Sequence, residues 1–435
     1  MEQGTDQYRK AFEAFQREEV GAEPAWLRRV REEAMAAFLR QGFPTARDEA
    51  WRYTDVTPVR EASFVFGGGR SSISGEKIRE ISRQYPENRI LFVNGRYFPA
   101  GSSKPKEFEV FDLREAMSAV RELEDRWSGG PDAEQNAFKT LNTAFLREGV
   151  LIRVPEGTTL TVPLRLIFVA DPGSEKMIFQ PRVLVLAGKR SSGILMEHYH
   201  AAGGAHYFTN VVLEIDLQEN AMFRHYKVQD ENRQAFHIAS TWVSQARGSQ
   251  FSSWSLAAGS RLMRNDCRIA LEDENAECSL RGLYLGGNGQ HLDLHTTVDH
   301  RKPAGKSTQL FKGLLGGKSR GVFGGRVRVR QGAVRTDATQ TNKNLLLSDE
   351  ARVDTQPQLE IDADDVRCSH GAAVGQLREE AVFYLRSRGI GEREASRILA
   401  RGFAQEVVDA VETDLLKKEL EEIVNQKLEA QFLEM

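Results

Sequence analysis

The chain has 435 residues, more than one hydrophobic core usually organises, so two or three domains or one long repetitive core are expected. Hydrophobic residues make up 40%, charged residues 28%, and the net charge is −3. Three cysteines are too few for a disulfide framework or for a four-thiolate metal cage.

No segment approaches the ~18 continuous apolar residues of a membrane span. The start, MEQGTDQYRKAFEAF, lacks the basic-then-apolar signature of a secretory signal, so a cytoplasmic, thiol-reduced protein is expected. Phe12, Phe15, Trp26, Leu27, Val30, Ala34 and Phe38 recur at helical spacing and predict helix from Tyr8 to Leu39, stopped by Gly42 and Pro44. Gly67-Gly68-Gly69-Arg70-Ser71-Ser72 reads as a linker. Residues 89–99, RILFVNGRYFP, read as two short strands around an Asn94-Gly95 turn. Residues 112–147 return to helix, broken at Gly129-Gly130-Pro131.

From Gly149 to about Gln358, short apolar and β-branched runs follow one another, punctuated by Gly, Asn, Asp and Ser. That predicts one large all-β unit, and its length favours a barrel, propeller or β-helix over a single sandwich. The absence of a clean repeat weighs against a propeller. Residues 377–386 and 392–401 then predict two short helices around Arg388-Gly389-Ile390-Gly391. A longer amphipathic helix follows, with Phe403, Val407, Val411, Leu415, Leu420, Ile423, Val424, Leu428 and Phe432 near one face. This face serves either the protein's own core or another protein. The expected domains are 1–148, mostly helical with a small hairpin; 149–375, the β core; and 376–435, helical.

The strongest candidate for chemistry is Asp364-Asp365-Val366-Arg367-Cys368-Ser369-His370-Gly371. If extended, it presents Cys368 and His370 on one face, where a thiol and an imidazole can reach one soft metal or cluster. Arg367 would favour the thiolate if its head lay nearby. Two ligands do not hold a cluster, so the rest must come from elsewhere, such as a second chain. Cys267 and Cys278 read as core residues.

His198 and His200 form a second same-face pair, which would suit a metal-dependent β-fold enzyme, but no carboxylate follows at the needed spacing. His291, Asp293 and His295 read as a polar ladder on an exposed sheet face. Glu360, Asp362 and Asp364 read as a solvated acidic edge. Residues 301–335 hold ten lysines and arginines and no acid, a pattern that suits a protein partner or solvated face better than nucleic acid. Gly317-Lys318-Ser319 lacks the spacing of a phosphate-binding loop, because position 312 is lysine, and reads as a turn.

Several long segments together carry a resemblance. They are Lys312-Gly313-Leu314-Leu315, the run Lys318–Arg326, Thr336–Ser348, Val353–Ile361, Cys368-Ser369-His370-Gly371 and Phe383–Ile390, with Trp51-Arg52-Tyr53-Thr54 near the start. The sequence resembles the SufB/SufD family of iron–sulfur cluster assembly proteins. The SufB branch has more cysteines in its β region and a glutamate directly after the histidine at His370. Gly371 stands there instead, so the SufD branch is the better match and a SufB-like scaffold the alternative.

The resemblance implies a mainly β fold: a right-handed parallel β-helix core between an N-terminal α/β domain and a C-terminal helical domain. It implies partnership with SufB through the β-helix and with the ATPase SufC through the C-terminal helices. A transient iron–sulfur cluster would be shared with the partner, bound in part by Cys368 and His370, with none in the isolated chain. No enzyme activity and no membrane or nucleic-acid partner are expected. A homodimer is possible without SufB.

Overall fold

The computed structural model describes residues 4–18, 23–66, 73–128 and 136–433. The expected linker at 67–72 and the expected break at Gly129-Gly130-Pro131 lie outside the described residues, as do the side chains of Leu415 and Phe432.

The single helix expected over 8–39 is two helices, α1 (Asp6–Glu18) and α2 (Ala25–Gln41). Pro24 is the extended N-cap of α2, at ψ 140°. Gly42 ends α2 as expected, at φ 68°, with its N–H on the Phe38 carbonyl at 2.7 Å. A short turn of 3₁₀ helix, Glu49–Trp51, precedes α3 (Thr57–Glu61) and α4 (Gly75–Gln84). Strands β1 (Arg89–Val93) and β2 (Arg96–Tyr97) form the predicted hairpin. Asn94 (φ 49°) and Gly95 (φ 76°) both take the left-handed conformation that such a two-residue turn demands. Then come β3 (Glu109–Asp112), α5 (Leu113–Ala119), α6 (Arg121–Trp127) and α7 (Ala137–Ala144).

Seventeen further strands run without an intervening helix. They are β4 (Gly149–Val154), β5 (Leu164–Ala170), β6 (Met177–Phe179), β7 (Arg182–Ala187), β8 (Ser192–Ala201) and β9 (Tyr207–Leu217). Next are β10 (Met222–Asp230), β11 (Phe236–Gln245), β12 (Gln250–Ala257), β13 (Leu262–Leu271), β14 (Glu277–Gly286) and β15 (His291–His300). The last are β16 (Lys306–Leu315), β17 (Arg320–Val329), β18 (Asp337–Leu346), β19 (Arg352–Ile361) and β20 (Arg367–Gln376).

From β7 onward successive strands alternate between two sheets, so each strand pairs in parallel with the strand two along the chain. One sheet runs β2-β1-β5-β8-β10-β12-β14-β16-β18-β20, the other β19-β17-β15-β13-β11-β9-β7-β4-β3. Gln250 pairs with Glu277, Glu277 with Lys306, Lys306 with Asp337, and Asp337 with Arg367. This is a β-solenoid, the β-helix expected. Its turns differ in length, which is why no fixed sequence period shows.

The lumen is filled by Val211, Phe223, Phe251, Met263, Leu280, Leu292, Phe311 and Phe323. Most middle strands are also covered outside, so their buried positions include polar and charged residues such as Lys227, Gln229, Arg264 and Asp293 beside the apolar ones. Over the first sheet lie α9 (Glu392–Val408) and α10 (Asp414–Leu433), packing Ala404, Val407, Leu420 and Val424 on Tyr226, Trp254, Leu283 and Leu314. The long C-terminal amphipathic stretch is therefore broken between Val408 and Asp414, and it docks on its own core. Over the second sheet lie α1, α2 and α7, packing Tyr8, Phe38 and Phe138 on Phe208, Phe236 and Ile238. One helix is different: α8 (Glu379–Ser387) has no buried residue, and Phe383 and Tyr384 are exposed.

The two ends of the solenoid differ. At the first, both sheets finish in short antiparallel strands, β2 on β1 and β3 on β4. At the second they finish in β19 and β20, ten residues each, with β20 mostly exposed. Among the described residues no helix is long and apolar enough to cross a membrane.

Candidate metal-cluster site at the open end of the solenoid

Cys368 and His370 both lie on β20, the edge strand of the first sheet. Cys368 is in register with Ala338 and His370 with Gln340, and those two β18 residues are buried in the lumen. Cys368 packs against a small cluster of Val327, Val329, Ala333 and Ala338. The alternation of a strand therefore puts both candidate ligands on the lumenal face of the last turn, as the i, i+2 spacing requires. His370 is exposed and Cys368 half-buried.

The electrostatics of Cys368 differ from the expectation. Partial burial and then the Asp337 carboxylate push its thiol up from the usual range, so Arg367 does not make it a ready thiolate. Gln340, directly beneath His370 in the ladder, was not singled out by sequence. Its side-chain oxygen and nitrogen are both buried without a hydrogen-bond partner, and so is the Thr355 hydroxyl on β19. Unsatisfied polar atoms of this kind are uncommon in a packed interior. Gln340 and Thr355 lie on the last coils, and other buried polar atoms of this kind are spread along the solenoid. Only the coil register, which no local motif encodes, places Gln340 beneath His370.

Among the described residues no group of three or more His, Cys, Asp or Glu side chains is arranged to hold a metal ion. One thiol and one imidazole on an edge strand fit a cluster as part of a ligand set.

The other sequence candidates are placed elsewhere. His198 and His200 do share a face of β8, with ring centroids 3.6 Å apart. They lie beneath the docked helices: His198 Nδ1 is 3.4 Å from the Tyr85 hydroxyl, which donates to Glu419 of α10. Burial pushes both imidazoles down, His198 well below its ordinary value and His200 to about 4, and cations near each add to this.

Asp293 corrects the expected exposed ladder, because it is completely buried. It accepts from Arg264 at 2.6 Å and Thr54 at 2.5 Å, and His295 Nε2 lies 2.9 Å away. The Arg264 guanidinium holds its carboxyl well below the usual range, against the cost of burial. Arg264 also stacks over Trp51 at 3.7 Å, and His291 meets Thr54 at 2.9 Å. The triad is thus the seat of the Trp51–Thr54 segment on the second sheet.

Much of the basic run is matched by carboxylates from neighbouring turns: Arg301 with Glu272, Arg330 with Asp299, Lys306 with Glu277, Arg320 with Asp354, and Arg326 and Arg328 with Glu360. Glu360 is therefore an ion-pair partner on the sheet face. Gly317 is a left-handed turn residue at φ 55°, as a turn reading predicts.

The family models cover almost the entire chain. Residues 168–403 match the SUF system FeS cluster assembly SufBD core domain, and residues 2–166 match the SufBD protein N-terminal region. The chain belongs to the SufBD family. It is SufD-like: it is 32% identical over 393 residues to the iron–sulfur cluster assembly protein SufD of Escherichia coli, covering 90% of each chain. It is 31% identical over 393 residues to an iron–sulfur cluster assembly SufBD family protein of Synechocystis, covering 88% of this chain and 87% of that one. It is 24% identical over 437 residues to the SufD of Bacillus subtilis, covering 97% of each. In this SufBD chain the core match begins inside β5, takes in the solenoid from there on, and ends inside α9.

Proposed function

We propose that this SufBD-family chain is the SufD-type subunit of an ATP-driven iron–sulfur cluster assembly complex, working with a SufB-type scaffold and a SufC-type ATPase. The observation that carries this reading is the bare last turn. Strands β19 and β20 leave the backbone edges of both sheets unpaired, and Cys368 and His370 stand on the lumenal side of the second. Exposed Ile361 and Val374 lie on the same two strands. Open strand edges are templates for pairing with another chain, so the SufB-type partner joins here. A cluster at the seam takes cysteine ligands from that partner and His370, then Cys368, from this chain, the cluster being cargo. Neutral imidazole is a common iron ligand, which makes His370 the stronger of the two.

Helix α8, with Phe383 and Tyr384 in solvent, supports the second contact. An uncovered apolar face on a helix fits a groove of another protein, here the SufC-type ATPase. The chain itself has no enzymatic activity in this reading and works in the cytoplasm. Its working units are 1–148, 149–375 and 376–435.

The test is co-expression with SufB and SufC followed by co-purification and cluster reconstitution. A stable three-component complex whose cluster yield collapses in His370→Ala is the expected outcome. A complex that does not form removes the reading, and an unchanged yield in His370→Ala removes the site.

A further inference from the structure

Lys312 is a lysine on the outer face of β16 whose side chain is only 4% exposed. Its Nζ donates to the Phe403 carbonyl of α9 at 2.8 Å, lies 4.3 Å from the Phe403 ring centre, and pairs with Glu406. Its neighbour in the ladder is a second cation. Lys312 is in register with Lys343 of β18, and Lys343 with Ala373 of β20. Parallel strands lie about 4.8 Å apart, and like charges on adjacent rungs repel.

The same carboxylate answers both: Glu406 also meets Lys343 at 3.7 Å. Its carboxyl is held below the usual range, first by the hydrogen bond from Lys312. On the other side of Lys312 this rung is apolar, with Leu256 paired to Leu283 and Leu283 to Lys312. The charge triad therefore marks the border between the helix-covered sheet and its bare last turn. Helix α8 joins α9 through the turn at Gly389, and Arg386 pairs with Glu392 across it at 3.2 Å.

We propose that Lys312, Lys343 and Glu406 form a charge lock that couples the position of α8 and α9 to the geometry of the terminal turn, an inference that rests on α8 being the ATPase-docking helix. Lifting α9 withdraws the one carboxylate that answers both lysines, and with it the Phe403 carbonyl and ring that cover Lys312, leaving two cations side by side on the sheet without their shared counter-ion. The contact is therefore made or broken as a unit, the two-state element that coupling requires. Breaking it sets β16 and β18 repelling at this rung, and the disturbance reaches β20 three residues from His370. Lys312 and Glu406 are positioning residues in this scheme, since neither touches the cluster.

Two variants test it in the complex with SufB and SufC. Lys312→Met replaces a buried ion by an apolar chain of similar length, a change that folded cores tolerate. Glu406→Gln alters a residue that is half exposed. Both are expected to co-purify and hydrolyse ATP as the parent does, while ATP-dependent cluster yield falls by about fivefold or more. A yield equal to the parent's overturns the lock.

If the parent chain forms no complex, the docking reading fails by itself, and hydrogen exchange on the isolated chain decides the lock. Glu406→Gln is then expected to speed exchange about tenfold in both 392–408 and 337–346. Faster exchange in 392–408 alone, or in neither, overturns it.

Discussion

Arg165 of β5 and Glu419 of α10 meet in a two-pronged ion pair, Nη1 to Oε1 at 3.1 Å and Nη2 to Oε2 at 2.9 Å. They stand 254 residues apart in sequence, and their side chains are 10% and 21% exposed. Breaking one partner of a largely buried pair strands the other charge, at about 3–5 kcal/mol when fully buried. Glu419→Ala is therefore expected to cost roughly 2–4 kcal/mol and to loosen α10 first. Urea unfolding followed together with exchange in 414–433 reads both. A loss below about 1 kcal/mol would place the pair among ordinary surface bridges.

Acid should loosen the same region. His198 and His200 have folded-state pKa values below the ordinary 6.5, His200 at about 4. The unfolded chain therefore binds more protons than the folded one between these values. The stability from the neutral, buried rings is present above about pH 6.5 and is lost as the pH falls toward 4. The groups facing His200 include the Lys77 and Lys427 cations and the Glu231 carboxylate. His237, His291 and His300 are also pushed down and add to the total slope, so a difference measurement isolates His200. Stability measured from pH 7 to pH 4.5 should fall less steeply in His200→Gln than in the parent. Equal slopes would show that the ring accepts its proton in place.

Asp293→Asn should unseat the Trp51–Thr54 segment. The variant leaves the Arg264 cation, 1% exposed, with Asp266 as its remaining carboxylate at 2.9 Å. A cost of about 3 kcal/mol is expected, with faster proteolysis between residues 42 and 57. Protection of that stretch equal to the parent's would mean that the Trp51 stack on Arg264 holds it unaided.

The three thiols should separate cleanly in an alkylation assay. Cys267 is buried and pushed up to about 12, and Cys278 is buried and pushed up further. Cys368 is half-buried, and partial burial raises its thiol too. One thiol is expected to react in the native chain, faster at pH 9 than at pH 7, and all three in urea. Native labelling of Cys267 or Cys278 would show that the lumen opens.

What was legible in the sequence depended on range. The Asn94-Gly95 hairpin and the Gly42 stop are local, and both conformations follow from the residues themselves. The same-face placement of Cys368 and His370 follows from strand alternation alone. Features that join one coil to the next were not legible. Arg326 and Glu360 lie one turn apart, so much of a stretch that looks wholly basic along the chain is paired with acids across it. Asp293 looked solvated because nothing nearby in sequence announces Arg264 or Thr54. The apolar face of the C-terminal helices was visible, but its division was not: α9 and α10 cover the core, and α8 is left out.

The unlike ends of the solenoid have a consequence for stoichiometry. A stack of coils with two bare ends would add copies without limit and grow into a fibre. Here one end is sealed by the short antiparallel strands β2 and β3, and the other ends in the full-length edges of β19 and β20. If two such bodies join end to end through β19 and β20, the short strands at their far ends leave no matching edge for a third, so the solenoids would pair and not polymerise.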